Sequence, residues 1–369
     1  MDMKVLAIVT RPEFGGTETH VLSLARMLRR RNIHMSLATY GGPFVPVMRQ
    51  HGIPIHLISK PTSSAGAASS ISRVVKRYGY TVIHAHDIES FRMLPHLRKQ
   101  LPRVPRLMTV HGIYYSQAEL RHAADAANAV IAVSPSVRTR MVWSCHSTNK
   151  VTLVPNGIDT LKYSPASDSI QYRRRLGLPS QAHVCLYVGR FQSDKWAIAR
   201  KVILASERVS RRHANFVTVL VGFGSYRIRL KKLAKQVNTR LGRVAIRVLP
   251  PTTQLQNYYR AATVVVGTGR VALEAMSCGK PVIAAGISGY EGIIDPKSWR
   301  SAVAHQFGDH GANKRTTVAG LSHDIQKLLS NPQLATSRGN FGRKMVLRQF
   351  SIQRAARMTG TVYHRVLRG

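Results

Sequence analysis

The chain has 369 residues, 44% of them hydrophobic, which is enough for two domains that each bury a core of their own. It carries 55 Lys and Arg against 16 Asp and Glu, a formal net charge of +39, so a partner attracted by charge is an anion. No apolar run approaches the roughly 18 residues needed to span a bilayer. The three cysteines, Cys145, Cys185 and Cys278, form no CxxC pair, which excludes a disulfide framework and leaves Cys145-His146 without the neighbours of a zinc site.

In chain order, Met1-Asp2-Met3-Lys4 leads into an apolar strand, Val5–Thr10. That run is too short for the apolar region of a signal peptide, so a cytoplasmic chain is expected. Gly15-Gly16 follows, then a helical pattern over Thr17–Arg30 with Val21, Leu22, Leu24, Ala25 and Leu28 on one side. Met35–Thr39 reads as a strand, Phe44–His51 as a helix, Ile53–Ile58 as a strand and Ile71–Tyr78 as a helix. The strands Val82–His86, Arg106–Val110, Val130–Val133 and Val151–Val154 complete the first half. Short apolar strands between helices predict a parallel sheet covered on both faces.

Residues 166–182 are less regular and lie between Pro165 and the strand that opens the second half, so they read as a linker after a first domain, 1–165. A second domain, 183–348, repeats the scheme. Its strands are Val184–Val188, Phe216–Val221, Val244–Leu249, Val264–Val266 and Val282–Ala285, and its helices include Ala197–Arg211, a basic amphipathic Tyr226–Val237, and Leu255–Ala261. Beyond Asp295 the pattern weakens, with helices predicted at Leu321–Leu329, Leu334–Gln349 and Ile352–Leu367. The closing segment, 349–369, is expected to cross back to the first domain.

Doubly wound halves take ligands at the carboxyl ends of their strands, so the candidates are residues that follow strands. Gly267-Thr268-Gly269-Arg270-Val271-Ala272-Leu273-Glu274 is a glycine loop, a helix start and an acid one turn in. Amides at a helix start suit an anion, and a carboxylate suits sugar hydroxyls; a nucleotide diphosphate-sugar offers both. Gly15-Gly16 opens a helix in the same manner but is no GxGxxG fingerprint. Gly189-Arg190-Phe191-Gln192-Ser193-Asp194-Lys195 places two cations five residues apart after a strand, as a departing diphosphate requires. His111 ends a strand before a glycine; neutral, it would bond a hydroxyl, and protonated it would offset phosphate. His84-Ala85-His86-Asp87 lacks a third metal ligand and reads as structural. Val133-Ser134-Pro135-Ser136 and Val154-Pro155-Asn156-Gly157-Ile158-Asp159 are strand-exit turns, the Asn-Gly suiting positive φ.

The sequence of these motifs, with Tyr163 and Pro165 after the second turn, resembles family 4 glycosyltransferases over most of the chain. The resemblance implies a GT-B fold, two facing Rossmann-like domains with an interdomain cleft. It implies a retaining transfer of a hexose-type sugar from a UDP- or GDP-sugar to a glycan, lipid-linked or small-molecule acceptor, without a bound metal or other cofactor. It assigns His111, Arg190 and Lys195 to catalysis, and Gly15, Gly16, Arg190, Lys195, Gly269, Arg270, Val271 and Glu274 to the donor. Glu274 would bond the ribose. Gly222-Phe223-Gly224 and Leu249-Pro250-Pro251 with Tyr258-Tyr259 resemble the region that holds the base. One departure stands out: where the family has a second acid eight residues before Glu274, this chain has Val266.

Two rivals remain open at this level: a GT-B epimerase acting on a nucleotide sugar alone, and a basic scaffold or nucleic-acid-binding protein that has lost catalysis. No recognition helix, zinc finger or RNP-type strand supports nucleic acid. The charge also fits solvated helix faces, or a peripheral position on an anionic inner membrane surface.

Overall fold

The structure is a computed structural model that describes residues 3–145, 147–192, 195–312 and 314–368. It divides into two compact units, Met1–Gly157 with Ser351–Gly369, and Ile158–Phe350. His146, Ser193 and Asp194, read above as parts of motifs, lie outside the described residues.

Unit 1 alternates β1 (Met3–Ile8), α1 (Gly16–Arg29), β2 (Ile33–Thr39), α2 (Val45–Gln50), β3 (Ile55–Leu57), α3 (Ser64–Tyr78) and β4 (Val82–Ala85). It continues with α4 (Ile88–Gln100), β5 (Arg106–Val110), α5 (Gln117–Ala126), β6 (Ala129–Ala132), α6 (Pro135–Cys145) and β7 (Val151–Leu153). The strands form one parallel sheet in the order β3-β2-β1-β4-β5-β6-β7. Alternation along β1 shows why both faces are covered. Leu6 and Ile8 enter one apolar cluster with α3, α4 and α5, while Val5 and Ala7 enter another with α1 and the chain's last helix.

Unit 2 contains α7 (Ser169–Arg175), β8 (His183–Arg190), α8 (Lys195–Ser210), β9 (Phe216–Phe223), α9 (Arg227–Leu241), β10 (Ile246–Leu249) and α10 (Leu255–Ala261). Then come β11 (Val264–Gly267), α11 (Gly269–Ser277), β12 (Val282–Ala285), β13 (Tyr290–Ile293), α12 (Trp299–Ala304), α13 (Val318–Leu329) and α14 (Pro332–Gln349). The sheet order is β10-β9-β8-β11-β12-β13. All pairings are parallel except β12 with β13, an antiparallel edge that the strand pattern does not anticipate.

The last helix, α15 (Ile352–Arg368), packs within unit 1, where Tyr363 is fully buried and its hydroxyl meets His84 Nδ1 at 2.7 Å. Two boundaries differ from expectation. The chain changes unit at Gly157/Ile158, not across residues 166–182, because Ile158 and Tyr163 are buried in the unit 2 core and α7 packs there. The return falls at Ser351, two residues later than expected, because Phe350 is still core and its carbonyl accepts the Ile158 N–H at 2.7 Å.

The Asn156-Gly157 turn also differs: neither residue has positive φ. Gly157 serves close approach instead. A Cβ there would lie 2.7 Å from Ile352 Cδ1 and 2.8 Å from both Ala355 Cβ and Ile352 Cα. Gly157→Ala is therefore expected to lower unit 1 stability by about 1–3 kcal/mol through overpacking, seen as a lower urea midpoint. An unchanged midpoint would mean that α15 can back away at no cost.

Among the described residues no helix is long and apolar enough to cross a membrane. Cys145, Cys185 and Cys278 are free thiols.

Candidate functional site

The strand order of unit 2 reverses beside β8, with β9 and β10 on one side and β11 to β13 on the other. The loops after β8 and β11 flank the crevice where open α/β sheets take ligands. Arg190 closes β8 with an exposed side chain. Lys195 opens α8, and its ammonium meets both carboxylate oxygens of Asp309 at 2.9 and 3.1 Å in a mostly covered pair.

Asp309 belongs to a loop with an unusual backbone. Three residues in a row have positive φ: Gln306 at 52°, Phe307 at 58° and Gly308 at 90°. Left-handed non-glycine residues are costly, so surrounding contacts must hold them. Phe307 is buried in the core and edge-packed on Trp299, and the Gln306 carbonyl accepts the Gly269 N–H at 2.9 Å. The loop thus connects Lys195 to the start of α11. The one local signal for this loop is Phe307-Gly308-Asp309-His310-Gly311, two glycines in a stretch without periodicity.

At α11 the expected anion seat is altered. Thr268 is the N-cap and Gly269 has φ 50°. The Gly269 amide donates to Gln306, and the Val271 amide to Thr268 O at 3.1 Å, so these two do not face outward as expected. Glu274 also departs from its assignment. It is 3% exposed; Arg270 Nε donates to Oε1 at 2.7 Å and the Tyr259 hydroxyl to Oε2 at 3.0 Å. Burial, reinforced by this carboxylate, pushes the Tyr163 and Tyr259 phenols well above their ordinary range. Both oxygens are engaged inside the protein, and Glu274 anchors Arg270. Tyr259 is fully buried.

Val266 sits within β11, fully buried and laddered between Tyr187 and Ile283. A side chain there points into the core, so the eight-residue spacing marks a strand position. Glu291, on the edge strand, is engaged by His305 Nδ1 at 3.0 Å and by Ser301. Asp309 is the acid that meets Lys195.

In unit 1 the order reverses beside β1. Gly15 is the N-cap of α1, and a Cβ on Gly16 would meet nothing within 4 Å. Glu18 lies over this turn: its Oε2 would be 2.5 Å from a Cβ on Gly15, and its Oε1 accepts the Glu13 N–H at 3.4 Å. A carboxylate at the helix start offsets the favourable dipole, so Gly15 and Gly16 suit a neutral polyol better than a diphosphate.

His111 follows β5, 3.3 Å from His86 Nδ1 through its Nε2, and its ring is 5.3 Å from that of His20. His84 spans Tyr363 and the Thr109 hydroxyl, each at 2.7 Å. Burial lowers His111 to about 4 and His84 to about 3, and holds His86 well below its ordinary value, with the neighbouring imidazoles adding to the effect at His84 and His86. Burial therefore favours the neutral form of His111 near pH 7, the form that suits a hydroxyl.

The cluster makes unit 1 acid-sensitive. An unfolded chain protonates these rings near pH 6.5, whereas the folded one keeps them neutral to about pH 4 or below. The unfolded state binds more protons in that window, so stability is full above pH 6.5 and declines as pH falls. At pH 5 each ring held neutral costs on the order of 2 kcal/mol. Urea midpoints at pH 7.5 and 5 should show the decline, and His84→Gln should lessen it; a flat profile would refute neutral burial.

Among the described residues no group of three or more His, Cys, Asp and Glu is placed to hold a metal ion.

Residues 14–162 match the family described as Glycosyltransferase Family 4, and residues 168–345 match Glycosyl transferases group 1. Alpha-maltose-1-phosphate synthase of Mycolicibacterium smegmatis is 26% identical, over 98% of this chain and 99% of that protein. D-inositol 3-phosphate glycosyltransferase of Kineococcus radiotolerans is 27% identical, over 88% and 85%. The fold is similar to that of Anabaena HepE solved with UDP and glucose, with a TM-score of 0.77 and 22% identity over 98% and 99% of the two chains.

Proposed function

Because the chain belongs to glycosyltransferase family 4 and is a glycosyltransferase of the GT-B fold, we propose that it moves a hexose-type sugar from a UDP- or GDP-sugar to a hydroxyl acceptor with retention of anomeric configuration. The observation that carries this reading is Lys195 at the reversal point of unit 2, held by Asp309 on a loop that also engages the start of α11. As the bond from the anomeric carbon to the diphosphate oxygen breaks, charge grows on that oxygen, and Arg190 and Lys195 stabilise it. The acceptor oxygen bonds to the same face of the sugar, and its proton passes to the departing diphosphate. These two cations meet the leaving charge, so the reading requires no metal. Neutral His111 bonds a sugar hydroxyl. Asp309 positions Lys195, and Glu274 positions Arg270.

HepE was solved with UDP, and two relatives are named for phosphorylated products or acceptors, so UDP-hexoses with phosphorylated sugar and inositol acceptors are the first pairs to assay. A donor at a hundred times its Kd should add about 2.7 kcal/mol of stability in a thermal-shift screen. Its turnover should then depend on acceptor. A screen in which no nucleotide-sugar binds would defeat the proposal, and a sugar product formed with no acceptor present would replace transfer by epimerisation.

The charge supports a second element, attachment to an anionic membrane surface. On α9, Leu230, Ala234 and Val237 face inward, while Arg227, Arg229, Lys231, Lys232 and Lys235 remain on the helix with Ile228, which is 77% exposed. Binding to anionic liposomes should be strong at low salt and weak at high salt. Equal binding to neutral liposomes would exclude it.

A further inference from the structure

At the opposite edge of the unit 1 sheet from Gly16 and His111, the end of α1, the start of β2 and one stripe of α15 line a half-open cavity of about 310 Å³. Arg30, Arg31, Asn32, Ile33, Arg357, Gly360, Thr361 and His364 line it. The four α15 residues recur at spacings of three and four, so they share one helix face. Three arginines line it together with Asn32, Thr361 and His364, whose side chains are all able to donate hydrogen bonds, and the lining includes no carboxylate.

The backbone is shaped to the same end. Asn32, at φ 56°, is one of three non-glycine residues with positive φ among the described residues, and it turns the chain sharply from α1 into β2 beside Arg30 and Arg31. Gly360 lies inside α15, where glycine costs about 1 kcal/mol relative to alanine. A Cβ there would meet only Ile33 Cδ1, at 3.4 Å, so the missing side chain leaves the cavity floor open and is not demanded by packing. Among the described residues the guanidinium groups of Arg30, Arg31 and Arg357 have no hydrogen-bond or ion-pair acceptor. Three like charges brought together without a counter-charge repel one another, and a bound polyanion removes that cost while each planar fork can grip two oxygens.

We propose that this cavity is a binding site for a phosphorylated ligand carrying two or more anionic oxygens on adjacent groups, separate from the sugar-transfer edge. Free phosphate esters and phospholipid headgroups share this chemistry. The site does not depend on the glycosyl-transfer reading.

The experiment uses the full chain with Arg190→Ala and Lys195→Ala, which removes the two donor-edge cations, and inorganic pyrophosphate as the calorimetric probe. Adding Arg31→Gln and Arg357→Gln should weaken pyrophosphate binding by about tenfold or more, given the strength of hydrogen bonds between charged groups. Adding Arg103→Gln and Arg121→Gln, two exposed arginines elsewhere on unit 1, removes the same net charge and should change binding less than about twofold. Equal losses in the two backgrounds would reduce the effect to the general field of a +39 protein and overturn the site, as would pyrophosphate binding that ignores Arg31 and Arg357. Gly360→Leu, which fills the cavity and keeps every charge, should also abolish binding; retained binding there would overturn the site as well. Flotation with phosphatidylcholine vesicles containing phosphatidic acid separates the sources. A headgroup site predicts that the Arg31/Arg357 pair, and not the control pair, reduces flotation and that pyrophosphate competes. A site for a free ester predicts unchanged flotation with pyrophosphate binding still lost.

Discussion

Replacing both Arg190 and Lys195 by alanine is expected to lower turnover of the productive nucleotide-sugar by about 10³-fold or more, each fixed donor to a developing oxyanion being worth roughly 2.7–4 kcal/mol. The loss should fall on kcat more than on KM, because charge on the diphosphate oxygen grows as the bond breaks. Folding stability should change little: Arg190 is exposed and the Lys195–Asp309 pair is partly solvated. Lys195 also answers a test of its partner. Lys195→Ala leaves the Asp309 carboxylate facing the departing diphosphate, whereas Asp309→Asn leaves the cation present but less well held. Lys195→Ala should therefore be the more damaging single change, and adding Asp309→Asn to it should recover part of the activity. Near-normal turnover in the Arg190/Lys195 double variant would remove these residues from leaving-group stabilisation.

Glu274→Ala should unfold unit 2 more easily by about 3–5 kcal/mol, the cost of leaving a buried charge without its partner. Arg270 and Glu274 have side chains only 8% and 4% exposed, and Tyr259 adds a second hydrogen bond to the same carboxylate. At roughly 2–4 °C per kcal/mol for a unit of this size, the melting point should fall by at least about 6 °C. Substituting both members, Arg270→Met with Glu274→Leu, should return most of that stability, since an apolar pair of similar volume avoids the desolvation cost. If Glu274 instead faced a ligand, Glu274→Ala would spare the melting point and raise only the donor KM, and the buried-anchor role would be wrong.

The two variants also mark how far a reading of residues reaches. The alternation of short Val- and Ile-rich strands with amphipathic helices was legible, because a parallel sheet buried on both faces leaves a local signature. So were the carboxyl-edge positions of Arg190, Lys195 and Gly269, which follow from strand ends alone. Glu274 was legible as an important acid, but its partners, Arg270 one turn earlier and Tyr259 on another helix, were not. Asp309 was not legible: its loop has no periodicity, and its position depends on three left-handed residues stabilised by Phe307 packing and by the Gly269 amide.

By itself the amino-acid sequence determined the two α/β halves, the family and the strand-end cations, because these depend on local pattern and on motifs a few residues long. The tertiary structure alone decided that Gly157 makes room for α15, that Val266 is a core strand residue, that burial lowers the pKa of His111, and that Asp309 holds Lys195. Each of those depends on groups far apart in the chain, whose burial and pairing arise only once the chain has folded.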